Sequence, residues 1–106
     1  MSSQSFTVDQ LAAQFDDGYQ EFLRRPGMSL GLYRLPVDGA DHQHPHASDE
    51  VYIIHRGQAQ LDVEGTEIAV GPGSVISVDR GREHHFTKIT EDLEVLVVFA
   101  PPEVPE

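Results

Sequence analysis

The sequence predicts a small all-β domain, a sandwich or barrel, with one short helix in front of it. Three observations point there. Beyond Gly18 apolar and polar residues alternate with a period near two, turn-forming pairs recur every several residues, and the segments between runs are short. Short connections imply that neighbouring strands pair antiparallel. At 106 residues the chain has room for one core, so a single domain over residues 1–106 is expected.

The helix is predicted over about residues 7–16. Thr7 is its N-cap, Gln10 stands three residues later as in a capping box, and Val8, Leu11, Ala12 and Phe15 share a face. Strands are expected near Tyr19–Arg24, Met28–Leu35, His42–His46, Glu50–His55, Gln58–Val63, Glu67–Val70, Val75–Val78, His84–Ile89 and Leu93–Phe99. Turn chemistry separates them at Pro26-Gly27, Asp38-Gly39, Gly57, Glu64-Gly65, Gly71-Pro72-Gly73, Arg80-Gly81 and Glu91-Asp92. The run from Leu93 to Phe99 is almost continuously apolar, as in a strand buried on both faces or set at a dimer interface. Pro101, Pro102 and Pro105 end the β-structure.

Composition removes several function classes. Eighteen Asp and Glu against seven Lys and Arg give a formal charge of −11, which repels phosphate backbones and anionic lipid. No nucleic-acid partner and no membrane association are therefore expected. No apolar run approaches the roughly 18 residues that cross a bilayer, and Met1 to Phe6 lacks a basic and apolar leader pattern, so the expected location is cytoplasmic. With no cysteine, any metal must be held by nitrogen and oxygen.

Histidine placement carries the functional signal. His42, His44 and His46 alternate, so on a strand all three would face one side. Glu50 follows His46 by four residues, past a turn at Ala47 to Asp49, and can open the next strand with its carboxylate in the same space. His84 lies on a later strand that a barrel can bring opposite. The predicted ligands of one divalent ion are thus His44, His46, Glu50 and His84. That donor set suits iron, manganese, nickel, copper or zinc and disfavours calcium and magnesium. His42, His55 and His85 read mainly as ordinary histidines: His42 sits one step further along and would line the mouth or stand behind the ligands, His55 ends a strand, and His85 has the opposite parity to His84.

At these residues the chain resembles the cupin superfamily. The first cupin motif runs Gly, five residues, His, one residue, His, three or four residues, Glu, six residues, Gly. Gly39, His44, His46, Glu50 and Gly57 follow it, with four residues instead of five between Gly39 and His44. The second motif, Gly, five residues, Pro, one residue, Gly, two residues, His, three residues, Asn, is matched by Gly73, Gly81 and His84. Asp79 stands where the family has proline and Lys88 where it has asparagine. The resemblance covers about residues 28–99 and implies a double-stranded β-helix or jelly-roll barrel, that of a small single-domain bacterial cupin.

The resemblance fixes no reaction, because cupins include dioxygenases, isomerases, lyases, sugar-binding regulators and storage proteins. Four protein ligands would leave one or two positions open on the ion. The leading expectation is a metal-dependent enzyme acting on a small oxygen-rich molecule, with dioxygenase ahead of isomerase or lyase; the alternative is a non-catalytic binding or sensor cupin. Tyr52, of inward parity with Glu50, is the candidate catalytic residue, either as an acid or as a substrate hydrogen bond. It reads equally as a barrel aromatic with a satisfied hydroxyl. Tyr33, Arg34 and Lys88 are weaker candidates for anchoring an anion. An apolar last strand and exposed edges lead to an expected homodimer.

Overall fold

The computed structural model describes residues 3–103. Helix α1 (Val8–Gln14) is followed by six strands: β1 (Gly18–Arg25), β2 (Met28–Leu35), β3 (Asp49–Val63), β4 (Thr66–Val70), β5 (Val75–Val78) and β6 (His84–Ala100). Every pairing is antiparallel, in the order β1-β2-β6-β3-β4, with β5 on the free edge of the first half of β3. Among the described residues no helix is long and apolar enough to cross a membrane.

The expected helix forms. The Thr7 hydroxyl accepts from the Gln10 backbone N–H at 3.2 Å, and the helix ends when Phe15 becomes extended. Leu11 is buried. The helix is held to the sheet by charge as well: Asp9 meets Arg56 at 2.7 Å and His55 at 3.3 Å. The Arg34 guanidinium donates to the backbone carbonyls of Ala12 and Phe15.

Two expected strand breaks are bends. Gly57 and Glu91-Asp92 lie inside continuous strands, where the β3–β6 register shifts repeatedly between Ile54 and Gln60. Gly57 has φ +101°, and a β-carbon there would lie 2.5 Å from the Asp92 carbonyl oxygen and 2.7 Å from Leu93 Cα. Two backbones thus touch where only glycine fits. The bend folds the long β3–β6 strand pair over on itself. In register Glu50 pairs with Phe99 at one end and Val63 with His84 at the other, and the fold brings these distant ends face to face.

Between the two halves lies the core. Tyr52, Ile54, Leu61, Phe86, Ile89, Leu93, Val95, Val97 and Phe99 are each no more than 2 % exposed. Along the end of β6 the odd residues point inward while Leu96 and Val98 are half-buried on the outer side, so the apolar run reflects cover on both faces.

The predicted strand His42–His46 does not form. Residues 36–48 are a loop, pinned because Asp38 N–H donates to the Ile89 carbonyl and Val37 N–H to the Asp92 carboxylate. Pro45 offers no N–H, and the Asp41 carboxylate takes the hydrogen bonds that would otherwise leave the segment to find a partner strand.

Candidate metal centre

Three of the four predicted ligands converge. His46, Glu50 and His84 each offer a ligand atom, and these atoms lie within 4.8 Å of one another. Glu50 opens β3 and faces inward beside Val78 of β5 and Phe99 of β6. His84 opens β6, and its ring meets Tyr52 at 5.8 Å and His46 at 5.7 Å between centroids. His46 closes the loop. Its position is set by the second cupin-like turn, where the Gly81 N–H, at φ +80°, donates to the His46 carbonyl at 2.8 Å. Asp49 and Arg80, 3.2 Å apart, clasp the same two segments.

The fourth, His44, is exposed and stands outside the cluster. Alternation along a strand would have turned it inward with His46, but on a loop that rule does not operate. Instead Asp41 and Gln43 turn in, and sequence reasoning missed both. Asp41 accepts from the Tyr33 hydroxyl, from Gln43 Nε2 at 2.7 Å and from the Phe86 N–H at 2.8 Å. Its bond to the Gln43 N–H two residues on, at 3.3 Å, is a local Asx pattern, the one sign in the sequence that would have exposed it.

The electrostatics of the cluster are unusual. Both Glu50 oxygens and His84 Nε2 are buried and make no hydrogen bond, although Glu50 Oε2 and His84 Nε2 are 3.1 Å apart. Glu50 Oε1 lies 3.4 Å from His46 Nε2. His84 Nδ1 is 2.8 Å from the Arg82 carbonyl, which can only accept, so Nδ1 carries the proton and donates it. That leaves Nε2 directed at Glu50, the tautomer a metal ligand requires. Burial pushes the His84 imidazole down, but Glu50 and the Arg82 carbonyl together push it up further, for a net rise above 6.5. A buried carboxylate between two imidazoles, with lone pairs unused, is costly unless a cation sits among them. The residues present therefore fit a divalent ion with nitrogen and oxygen ligands.

Tyr52 is fully buried next to the cluster, and its hydroxyl donates to Gln43 Oε1 at 2.9 Å. Burial and the nearby Glu50 charge push its pKa well above 10, so it stays protonated. A cavity of about 570 Å³ opens beside His46, lined also by Tyr19, Tyr33, Gln43, Phe99 and Glu103. His42 is among the residues that line it. His55 is taken up by Asp9, and His85 is exposed. Arg34 borders the cavity but is engaged by α1 and by Glu94 at 3.6 Å, and Lys88 pairs with Glu67 at 3.0 Å on the surface. Lys88 also adopts φ +49°, a left-handed conformation that asparagine, the family's residue there, enters more readily.

A folded-over antiparallel barrel with a buried carboxylate, a buried imidazole and a half-buried one at its open end defines a double-stranded β-helix protein with a metal-competent mouth. Comparison with known proteins agrees. The family profile "Cupin domain" matches residues 31–99, and the chain belongs to that family. An uncharacterized protein of Streptomyces coelicolor is 46% identical over 102 residues, spanning 93% of this chain and 97% of its own. L-ectoine synthase of Desulfatibacillum aliphaticivorans is 27% identical over 84 residues, 76% of this chain, which spans 64% of that enzyme. Among solved structures, an uncharacterized conserved protein with a double-stranded β-helix domain from Klebsiella pneumoniae superposes with a TM-score of 0.76 at 19% identity. That match covers 94% of this chain and 91% of the other.

Proposed function

We propose that this cupin holds one divalent transition metal on His46, Glu50 and His84 and uses it to act on a small, oxygen-rich molecule in the adjoining cavity. The observation that carries the reading is the buried Glu50 carboxylate, whose two oxygens lie 3.4 Å from His46 Nε2 and 3.1 Å from His84 Nε2 and have no other hydrogen-bond partner. Iron, manganese, nickel, copper or zinc would supply Lewis-acid polarisation of a bound oxygen, and the redox-active ones electron transfer to dioxygen. The chain's own residues do the rest: Gln43, held by the Tyr52 hydroxyl, lines the cavity with Tyr33 and Phe99, and the loop of residues 36–48 positions His46. Tyr52, protonated and bonded to Gln43, acts as a positioning residue. Turnover by oxygenation stands ahead of isomerisation or elimination, and the distant likeness to a synthase favours an enzyme over a non-catalytic sensor.

Elemental analysis of tag-free protein tests the metal. An equivalent near one supports the site, and less than about a tenth of an equivalent after reconstitution sinks it. Ligand number is read from two variants. His84→Ala is expected to weaken metal binding by more than about a hundredfold, beyond what losing a second-shell partner does, whereas His44→Ala costs less than about tenfold. Oxygen uptake by the loaded protein in the presence of candidate chelates separates oxygenation from the other two reactions.

A further inference from the structure

Tyr19 on β1 faces inward opposite Tyr33, and its ring crosses over Gly31 of β2. A β-carbon on Gly31 would lie 2.2 Å from the Tyr19 hydroxyl oxygen, so the missing side chain is the ring's seat. Gly31 pairs with Val97, two residues from Phe99. Tyr19 meets Phe99 edge-on at 5.7 Å, and Phe99 meets His46 at 5.0 Å, so ring contacts run from β1 to the metal cluster. The Tyr19 hydroxyl is buried and has no hydrogen-bond partner among the described residues. The other two tyrosines of the chain are engaged, Tyr33 by Asp41 and Tyr52 by Gln43. Burial, then the nearby carboxylates of Glu103, Glu21 and Glu50, push the Tyr19 pKa upward, so the hydroxyl keeps its proton to donate.

Charge around the cavity limits what can accept that proton. Asp17 and Glu103 are on its wall, and its guanidinium, Arg34, is held by Ala12, Phe15 and Glu94. In the metal-free cavity a polyanion would meet carboxylates and no unengaged guanidinium. We propose that the Tyr19 hydroxyl is the hydrogen-bond donor to the cavity's ligand. That ligand is an uncharged or singly charged, largely apolar molecule with adjacent oxygen acceptors, not a phosphorylated or polycarboxylated one. The proposal deepens the metal reading and rests on it only for the ligand's second contact.

Maltol, an uncharged hydroxypyranone, serves as the probe, titrated calorimetrically against citrate and inorganic phosphate into Co²⁺-loaded and metal-free protein. To the metal-free protein maltol is expected to bind more tightly than either anion. Tyr19→Phe is expected to weaken maltol about tenfold, the loss typical of one hydrogen bond, with Co²⁺ affinity and visible spectrum unchanged. Gly31→Ala, which displaces the ring without touching the ligands, reproduces the loss. Equal maltol affinity in wild type and Tyr19→Phe overturns the proposal. So does tighter binding of citrate or phosphate to the metal-free protein, or no maltol binding in either state. Failure of Co²⁺ to bind the wild type sinks the metal reading alone, and the metal-free titrations then decide the role of Tyr19.

Discussion

The two ends of the folded-over β3–β6 strand pair solve opposite problems. At the bend, Gly57 packs backbone against backbone on Asp92 and Leu93, with no room for a methyl group. At the open end, Glu50 and His84 are equally buried but carry polar atoms with no hydrogen bonds. One end is closed by contact and contributes stability. The other is held in a costly arrangement by the rest of the barrel, which is the usual relation between a scaffold and a binding site.

That contrast can be broken from either side. The largest effect is expected at the open end: Glu50→Gln should cost more than about a hundredfold in metal affinity. In the same variant the metal-free protein, at a pH above the raised His84 value, should gain roughly 1 kcal/mol in denaturant stability as an uncompensated charge is removed. A metal-free protein destabilised by the change would show that Glu50 is structural.

At the bend, Gly57→Ala should lose about 3 kcal/mol, from a left-handed conformation and an overpacked contact together, measured by urea unfolding. The loss should be the same with and without metal in excess of binding, since the substitution adds a clash far from the ligands.

A smaller effect sharpens the comparison through pH. His84 has its folded pKa raised above 6.5, so its protonated form, paired with Glu50, stabilises the metal-free protein below the unfolded pKa. That contribution disappears as pH rises through the raised value. Metal needs the neutral ring, so affinity should fall about tenfold per pH unit once pH drops below the same value. Metal-free stability and metal affinity should therefore move in opposite directions with pH, and parallel curves would exclude His84 as a ligand.

Much of the barrel was legible because strand patterning is local. The helix cap at Thr7, β1, β2, β4, β5 and the inward parity of Glu50, Tyr52, His84 and Phe86 follow from period and turn chemistry. What failed were inferences that treat a turn residue as a break or a spaced triplet as a strand. Gly57 and Asp92 read as ends, yet they are contact points between two continuous paired strands. His42, His44 and His46 read as one face, yet Asp41 binds the segment into a loop and only His46 reaches the cluster. Tyr19 left no mark at all, since its seat is the absence of a side chain on another strand.

The sequence by itself determined the all-β class, the family motifs and the residue types able to hold a metal, because these depend on composition, alternation and spacing along the chain. Which of those residues meet, which hydroxyl is left without a partner, and where the chain bends instead of breaking were decided only in three dimensions. Each depends on two segments far apart in sequence excluding or satisfying one another, and no local pattern records that encounter.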